Sequence, residues 1–181
     1  MNKKEKGFSL IELLIVVAII LIIAAIAIPN LIRSRMAANQ ASAVGSTRTI
    51  NTAAVEYNSA YGNGFPATLA QIGTTGSAAV SCNNAEYLDS TLTAASVATA
   101  AKSGYYFVMG AGATAVATPP TGCSAGGYVD GYTVSAIAAA LGTSGQNSYC
   151  SDASGVIRSD PTGATPSPAG GLCPVAMNPL Q

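Results

Sequence analysis

Residues 13–32, "LLIVVAIILIIAAIAIPNLI", are twenty consecutive positions without a charged side chain. As an α-helix this stretch rises roughly 30 Å, about one bilayer core. Ile, Val and Leu dominate and Ala fills the gaps, so the reading is a single spanning helix. Lys3, Lys4 and Lys6 precede it. A basic start followed by an apolar run is also the outline of a secretory signal peptide. Here the run is too long for a signal core, and no small-x-small cleavage site follows it. The lysines hold the start of the chain on the cytoplasmic side and place everything after the span outside. Glu12 stands at the edge of the run, where a carboxylate is costly unless something neutralises it.

The helix is expected to continue past the span. The segment after Asn30 lacks proline as far as Gly64, and Ala43, Thr47, Ile50, Ala54, Tyr57 and Tyr61 recur at steps of three and four. That spacing makes one helical face able to pack on a domain. Arg48, Thr52, Glu56 and Ser59 fall on the opposite face. Pro29 has no amide donor and is expected to break or kink the helix. Gly45 is a second weak point, and Gly62, Gly64 and Pro66 end it.

Beyond the helix, "FPATLAQIG" predicts a helical turn and the region from Tyr87 to Leu92 a second short helix. "YYFVMG" and "YTVSAIAAAL" (132–141) predict strands, the latter packing one face through Tyr132, Val134 and Ala136. "SYCSD" and "GVIRS" predict a hairpin turning at Ala153, Ser154 and Gly155. The tail after Asp160 is too rich in Pro and Gly for regular structure. A sheet of three or four antiparallel strands on the amphipathic half-helix gives a two-layer α+β head.

Cys82, Cys123, Cys150 and Cys173 all lie beyond the span and lack CxxC spacing, which suits two structural disulfides in an oxidising compartment. Three connectivities are open. The preferred one joins Cys150 to Cys173, pinning the tail to the sheet, and Cys82 to Cys123. The chain has no His, which excludes histidine acid–base catalysis and His-ligated metal. Phosphate-loop and nucleophile-elbow motifs are missing too, so no catalytic residue and no cofactor is assigned. Lys plus Arg and Asp plus Glu number 8 each, and Lys102 and Arg158 are the head's only cations, so no nucleic-acid partner is expected. Asp130, Asp152 and Asp160 raise the question of calcium. They lack the spacing of a calcium loop, "SDASG" more simply makes a turn, and no metal is assigned. Tyr57, Tyr61, Tyr105, Tyr106, Phe107, Tyr128, Tyr132 and Tyr149 are read as filling between helix and sheet.

The stretch "KGFSLIELLIVVAIILIIAAIAIPNL" resembles the N-terminus of type IV pilins and of the related pseudopilins of type II secretion. A short basic leader ends at Gly7, Phe8 follows, Glu12 is the fifth residue after the glycine, and the apolar run, Pro29 and "RSR" come next. "KSGYYFVMG", "GYTVSAIA" and "YCSDASGVIRSD" look like the sheet of pilin-like heads. The resemblance implies cleavage between Gly7 and Phe8 by a prepilin peptidase, which then methylates the new Phe8 amine. The subunit would wait in the inner membrane, engage an assembly platform there, and self-associate into a helical extracellular filament. It divides the chain into a leader at 1–7, a membrane and filament-core half-helix at 8–32, an amphipathic half-helix at 33–62 and a head at 63–181. Removing 1–7 leaves 5 basic and 7 acidic side chains. Gly7 has no side chain to hinder a protease. Glu12 and Phe8 are i and i+4 on one helix face, and a buried amine–carboxylate pair, within a chain or between neighbours, would set subunit register.

The expected function is a structural subunit of a type IV pilus, for adhesion, motility or uptake. The alternative is a secretion pseudopilin. A tip adhesin or DNA receptor would need an exposed aromatic or basic patch that the head's composition does not supply.

Overall fold

The computed structural model describes residues 7–74, 79–123, 127 and 130–180. Lys3, Lys4, Lys6 and Tyr128 lie outside them. The chain separates into two compact units, one ending at Arg35 and one beginning at Met36. From Met36 onward the amphipathic half-helix falls in the second unit.

Helix α1 (Leu10–Tyr61) contributes to both units. In the first unit its large apolar side chains are exposed, with Leu10 and Ile26 at 80% and 66%. The helix is long and apolar enough there to cross a membrane. The expected break at Pro29 is corrected for the isolated chain, since α1 passes through it. A proline removes one amide donor from the ladder, while intact turns on both sides hold the helix. The Ser34 hydroxyl donates to the Asn30 carbonyl (3.0 Å), engaging an oxygen of the turn that follows.

In the second unit α1 buries Ala43, Ser46, Thr47, Ile50, Ala53, Ala54 and Tyr57 and exposes Arg48, Thr52, Glu56 and Ser59. The three- and four-residue spacing therefore marks the packed face, with Tyr61 half-buried at its end. Gly62, at φ +60°, stops the helix, and its amide donates to the Asn58 carbonyl (3.1 Å). A left-handed residue after the last turn is readily supplied by glycine. Two short helices follow, α2 (Leu69–Ile72) and α3 (Ser90–Ala94), and a 3-10 turn at Ala98–Ala100. Helix α3 begins later than expected because the Asp89 carboxylate caps it, accepting from the Leu92 amide (3.0 Å).

The sheet runs β1 (Tyr105–Ala111), β2 (Tyr132–Ala138), β3 (Ser148–Asp152), β4 (Ile157–Asp160) and β5 (Asn178–Pro179), in that spatial order and antiparallel throughout. Five strands replace the expected three or four. The tail contributes the last, two residues long and paired with Arg158 and Ser159. Strand β2 ends at Ala138 rather than Leu141, since residues 140–144 form a turn closed by the Ser144 hydroxyl on the Ala140 amide.

One sheet face meets α1. Tyr105, Phe107, Tyr132, Val134, Ala136, Tyr149 and Ile157 form a single core with Ala43, Ile50, Ala53, Ala54 and Tyr57. The Tyr57 hydroxyl donates to the Cys82 carbonyl (2.7 Å) and the Tyr105 hydroxyl to Asn147 (2.7 Å). Burial pushes the phenols of Tyr105 and Tyr132 up to about 12, so both remain donors. Tyr106, by alternation, leaves this face and is half-buried.

The other face of the sheet is also covered. Thr133, Ser135 and Ile137 of β2 are buried as well. What covers that face is the Pro/Gly-rich tail. Cys150 clusters there with Cys173 and Met177, and the Ser148 hydroxyl donates to the Ala164 carbonyl. Gly110 has Thr133 and Pro168 so close that a Cβ would strike the threonine hydroxyl.

Candidate functional site

The residues singled out at the N-terminus lie on exposed backbone at the start of α1. Gly7, Phe8 and Ser9 precede the helix, and Phe8 is 82% exposed. The expectation that Phe8 and Glu12 share a helical face is corrected, because the helix begins at Leu10. Ser9 holds the preceding position. Its carbonyl accepts from the Leu13 amide (3.3 Å), the first bond of the helix. Its own amide donates to Glu12 Oε2 (3.0 Å). This is one arm of a capping box, in which the carboxylate of the third helical residue satisfies the amide of the residue that starts the helix. The Glu12 carboxylate also lies in the first turn, where the helix dipole favours negative charge. Ser9 was missed as a positioning residue, although Ser-x-x-Glu before an apolar run is a legible signal for it.

The arrangement leaves the Gly7–Phe8 peptide bond outside the helix, between exposed residues. Hydrolysis there makes Phe8 N-terminal and turns its amide nitrogen into an amine. The Glu12 carboxylate sits one turn into the helix from that nitrogen, already oriented by Ser9.

The cysteines are paired as Cys82–Cys123 and Cys150–Cys173, and none is free. The second bond links β3 to the tail. Next to it the Asp152 carboxylate accepts from the Cys173 amide (3.2 Å) and from the amide and hydroxyl of Ser154. Partial burial raises its pKa, but the donors of Ser154 and Cys173 and the charge of Arg158 outweigh that and hold it below the ordinary carboxylate range. Asp160 accepts in the same way from Thr162, and Asp130 from the amides of Ala113 and Thr114. Asp152 and Asp160 are thus engaged in their own turns, and Asp130 on amides of a preceding loop. No group of His, Cys, Asp or Glu among the described residues has the makings of a metal site. Lys102 donates to the Ser46 hydroxyl of α1 (3.2 Å), fastening the loop before β1 to the helix.

The family described as the prokaryotic N-terminal methylation motif matches residues 2–28. Among curated proteins, the type IV major pilin protein PilA of Myxococcus xanthus is 50% identical over 52 residues, 29% of this chain and 24% of that protein. The type IV wide pilus major component PilA4 of Thermus thermophilus is 62% identical over 37 residues, 20% of this chain and 28% of that protein. The chain therefore matches about a quarter of each relative's own length. No solved structure matches it. The chain carries the prokaryotic N-terminal methylation motif at residues 2–28, and over stretches of 52 and 37 residues it is similar to two major subunits of type IV pili.

Proposed function

We propose that this chain is a structural subunit of a type IV pilus, cut between Gly7 and Phe8 and methylated on the Phe8 amine. The observation that carries the reading is the coincidence of three things at one end. A methylation motif covers residues 2–28, the Gly7–Phe8 bond stands outside the helix, and the helix that follows has twenty uncharged residues. Residues 1–7 act as the leader and 8–32 as membrane anchor, then filament core. The half-helix at 33–62 and the head at 63–181 form the exterior, with disulfides suited to an oxidising, extracellular setting.

In the membrane, lipid covers the apolar half-helix. In a filament, the same helices of other copies replace the lipid. Glu12 is the residue that discriminates between positions along that bundle. An unpaired carboxylate in an apolar bundle costs several kcal/mol, so a copy settles where the Phe8 amine of one chain meets the Glu12 of another. Prepilin peptidase and an inner-membrane platform are the partners this path requires. The names of both relatives favour a pilus over a secretion pseudopilus.

Filaments sheared from wild-type cells and sequenced from their N-terminus test the reading. The expected sequence begins with methylated Phe8, and cells lacking the gene lose long surface filaments. Intact filaments together with failed protein export in those cells would transfer the protein to the secretion system.

A further inference from the structure

A groove of about 420 Å³ runs between the exposed side of α1 and the β3–β4 turn, lined by Val55, Glu56 and Tyr132 among others, with Ser154 and Gly155 on its far wall. It lies entirely within the unit that begins at Met36. Its character is mixed. Val55 and Gly155 are exposed and offer apolar contact, Tyr132 closes the floor from the core, and the Glu56 carboxylate supplies charge. Among the described residues no hydrogen bond or ion pair engages Glu56. Asp152, two residues before Ser154 of the far wall, is already engaged by Ser154 and Cys173, which leaves Glu56 as the unengaged carboxylate of the lining.

Charge is distributed unevenly along the chain. From residue 36 onward there are three basic and six acidic side chains, a balance of −3. Just before that point, Arg33 and Arg35 follow the uncharged run, are exposed, and are engaged by no carboxylate among the described residues. An arginine has an apolar stem and a planar head that grips a carboxylate through two donors. A groove whose walls mix apolar and hydrogen-bonding groups around one carboxylate fits that side chain better than it fits a compact, strongly hydrated lysine ammonium.

We infer that this groove receives the Arg33 and Arg35 segment of a second copy of the chain, with Glu56 as the counter-charge. The inference rests on the filament reading and adds a contact outside the apolar core. It also gives the two arginines a partner once they leave the lipid headgroups that surround them before assembly. The contact joins the start of one copy's exterior helix to the head of another, and so couples packing of the heads to packing of the core.

The test is charge exchange in the full-length protein in cells. Glu56→Arg is expected to lower sheared filament at least tenfold while the membrane pool of disulfide-bonded subunit stays at the wild-type level. Arg33→Glu with Arg35→Glu is expected to do the same. Combining all three substitutions is expected to restore filaments. Wild-type filament yield from Glu56→Arg overturns the inference. So does loss of filaments that the triple variant fails to restore, because the groove then takes something other than the arginines. A second measurement is independent of charge. Glu56→Cys with Arg35→Cys is expected to give a ladder of disulfide-linked multimers in sheared filaments, and filaments yielding monomers alone count against the contact. If wild-type cells make no filaments of this chain, the filament reading itself has failed, which these variants leave separate.

Discussion

At the scale of single residues, Glu12 has two roles that substitution can separate. As a cap it needs only an oxygen that accepts from the Ser9 amide, and as a register residue it needs charge. Glu12→Gln keeps an acceptor and loses the charge, while Glu12→Ala loses both and costs the helix start about 1 kcal/mol. If charge sets register, both variants are processed to Phe8 and neither forms filaments. Filaments from Glu12→Gln alone would reduce Glu12 to a cap. Asp152 makes a prediction about pH. Its carboxyl is held below the ordinary range in the folded state, so its contribution is present above the unfolded value near 4 and is lost as pH falls through the folded value. The thermal stability of detergent-solubilised protein is therefore expected to fall below about pH 4. Asp152→Asn should flatten that acid limb and lower stability at neutral pH. An unchanged acid limb would mean that other carboxylates dominate it.

At the scale of elements, the short helices depend on their ends more than on their length. Helix α3 has five residues, too few to persist without a cap. The Asp89 carboxylate is held low chiefly by the Leu92 amide that it caps, with partial burial opposing. Asp89→Ala is expected to cost about 1 kcal/mol, read as a lower urea midpoint with an unchanged slope, and Asp89→Asn much less. Equal losses in the two variants would argue against capping. Elements also set how legible the chain was. The long helix could be read because its apolar spacing persists over many turns and glycines end it. The start of α3 was misplaced because the apolar residues near Tyr87 carried more weight than the single aspartate that fixes the boundary. The break expected at Pro29 failed for a related reason. One missing hydrogen bond is a local cost, and a helix of 52 residues has turns on either side to absorb it.

At the scale of the whole head, the tail matters most. It carries no charged residue after Asp160, forms little regular structure, and still covers one face of the sheet. The Cys150–Cys173 bond and the Cys173 amide on Asp152 hold it there. Replacing Cys150 and Cys173 together by Ala is expected to cost about 3 kcal/mol, the entropy of a freed loop of this size. Limited proteolysis is expected to cut first within residues 161–177 in that variant, while the wild-type tail resists. Early cutting elsewhere, with the tail intact, would show that packing rather than the bond retains it. Thr133 has a buried hydroxyl with no hydrogen-bond partner among the described residues, so it adds nothing polar to the hold.

The sequence by itself determined the long apolar run, the amphipathic face of α1 and the first four strands, because each is written in neighbours a few residues apart, and the Ser-x-x-Glu start, though missed, is written there too. Helical and strand periodicity, turn glycines and caps are short-range chemistry, and a linear reading reaches them. Only the tertiary structure decided that β2 is buried on both faces, that the tail supplies a fifth strand and a cover, and that Glu56 borders a groove. Each of those depends on residues brought together across long stretches of chain, as when Cys150 meets Cys173 or Val55 comes to line one groove with Gly155. Burial of that kind follows from which surfaces the whole chain leaves no room to hydrate, and no local pattern records it.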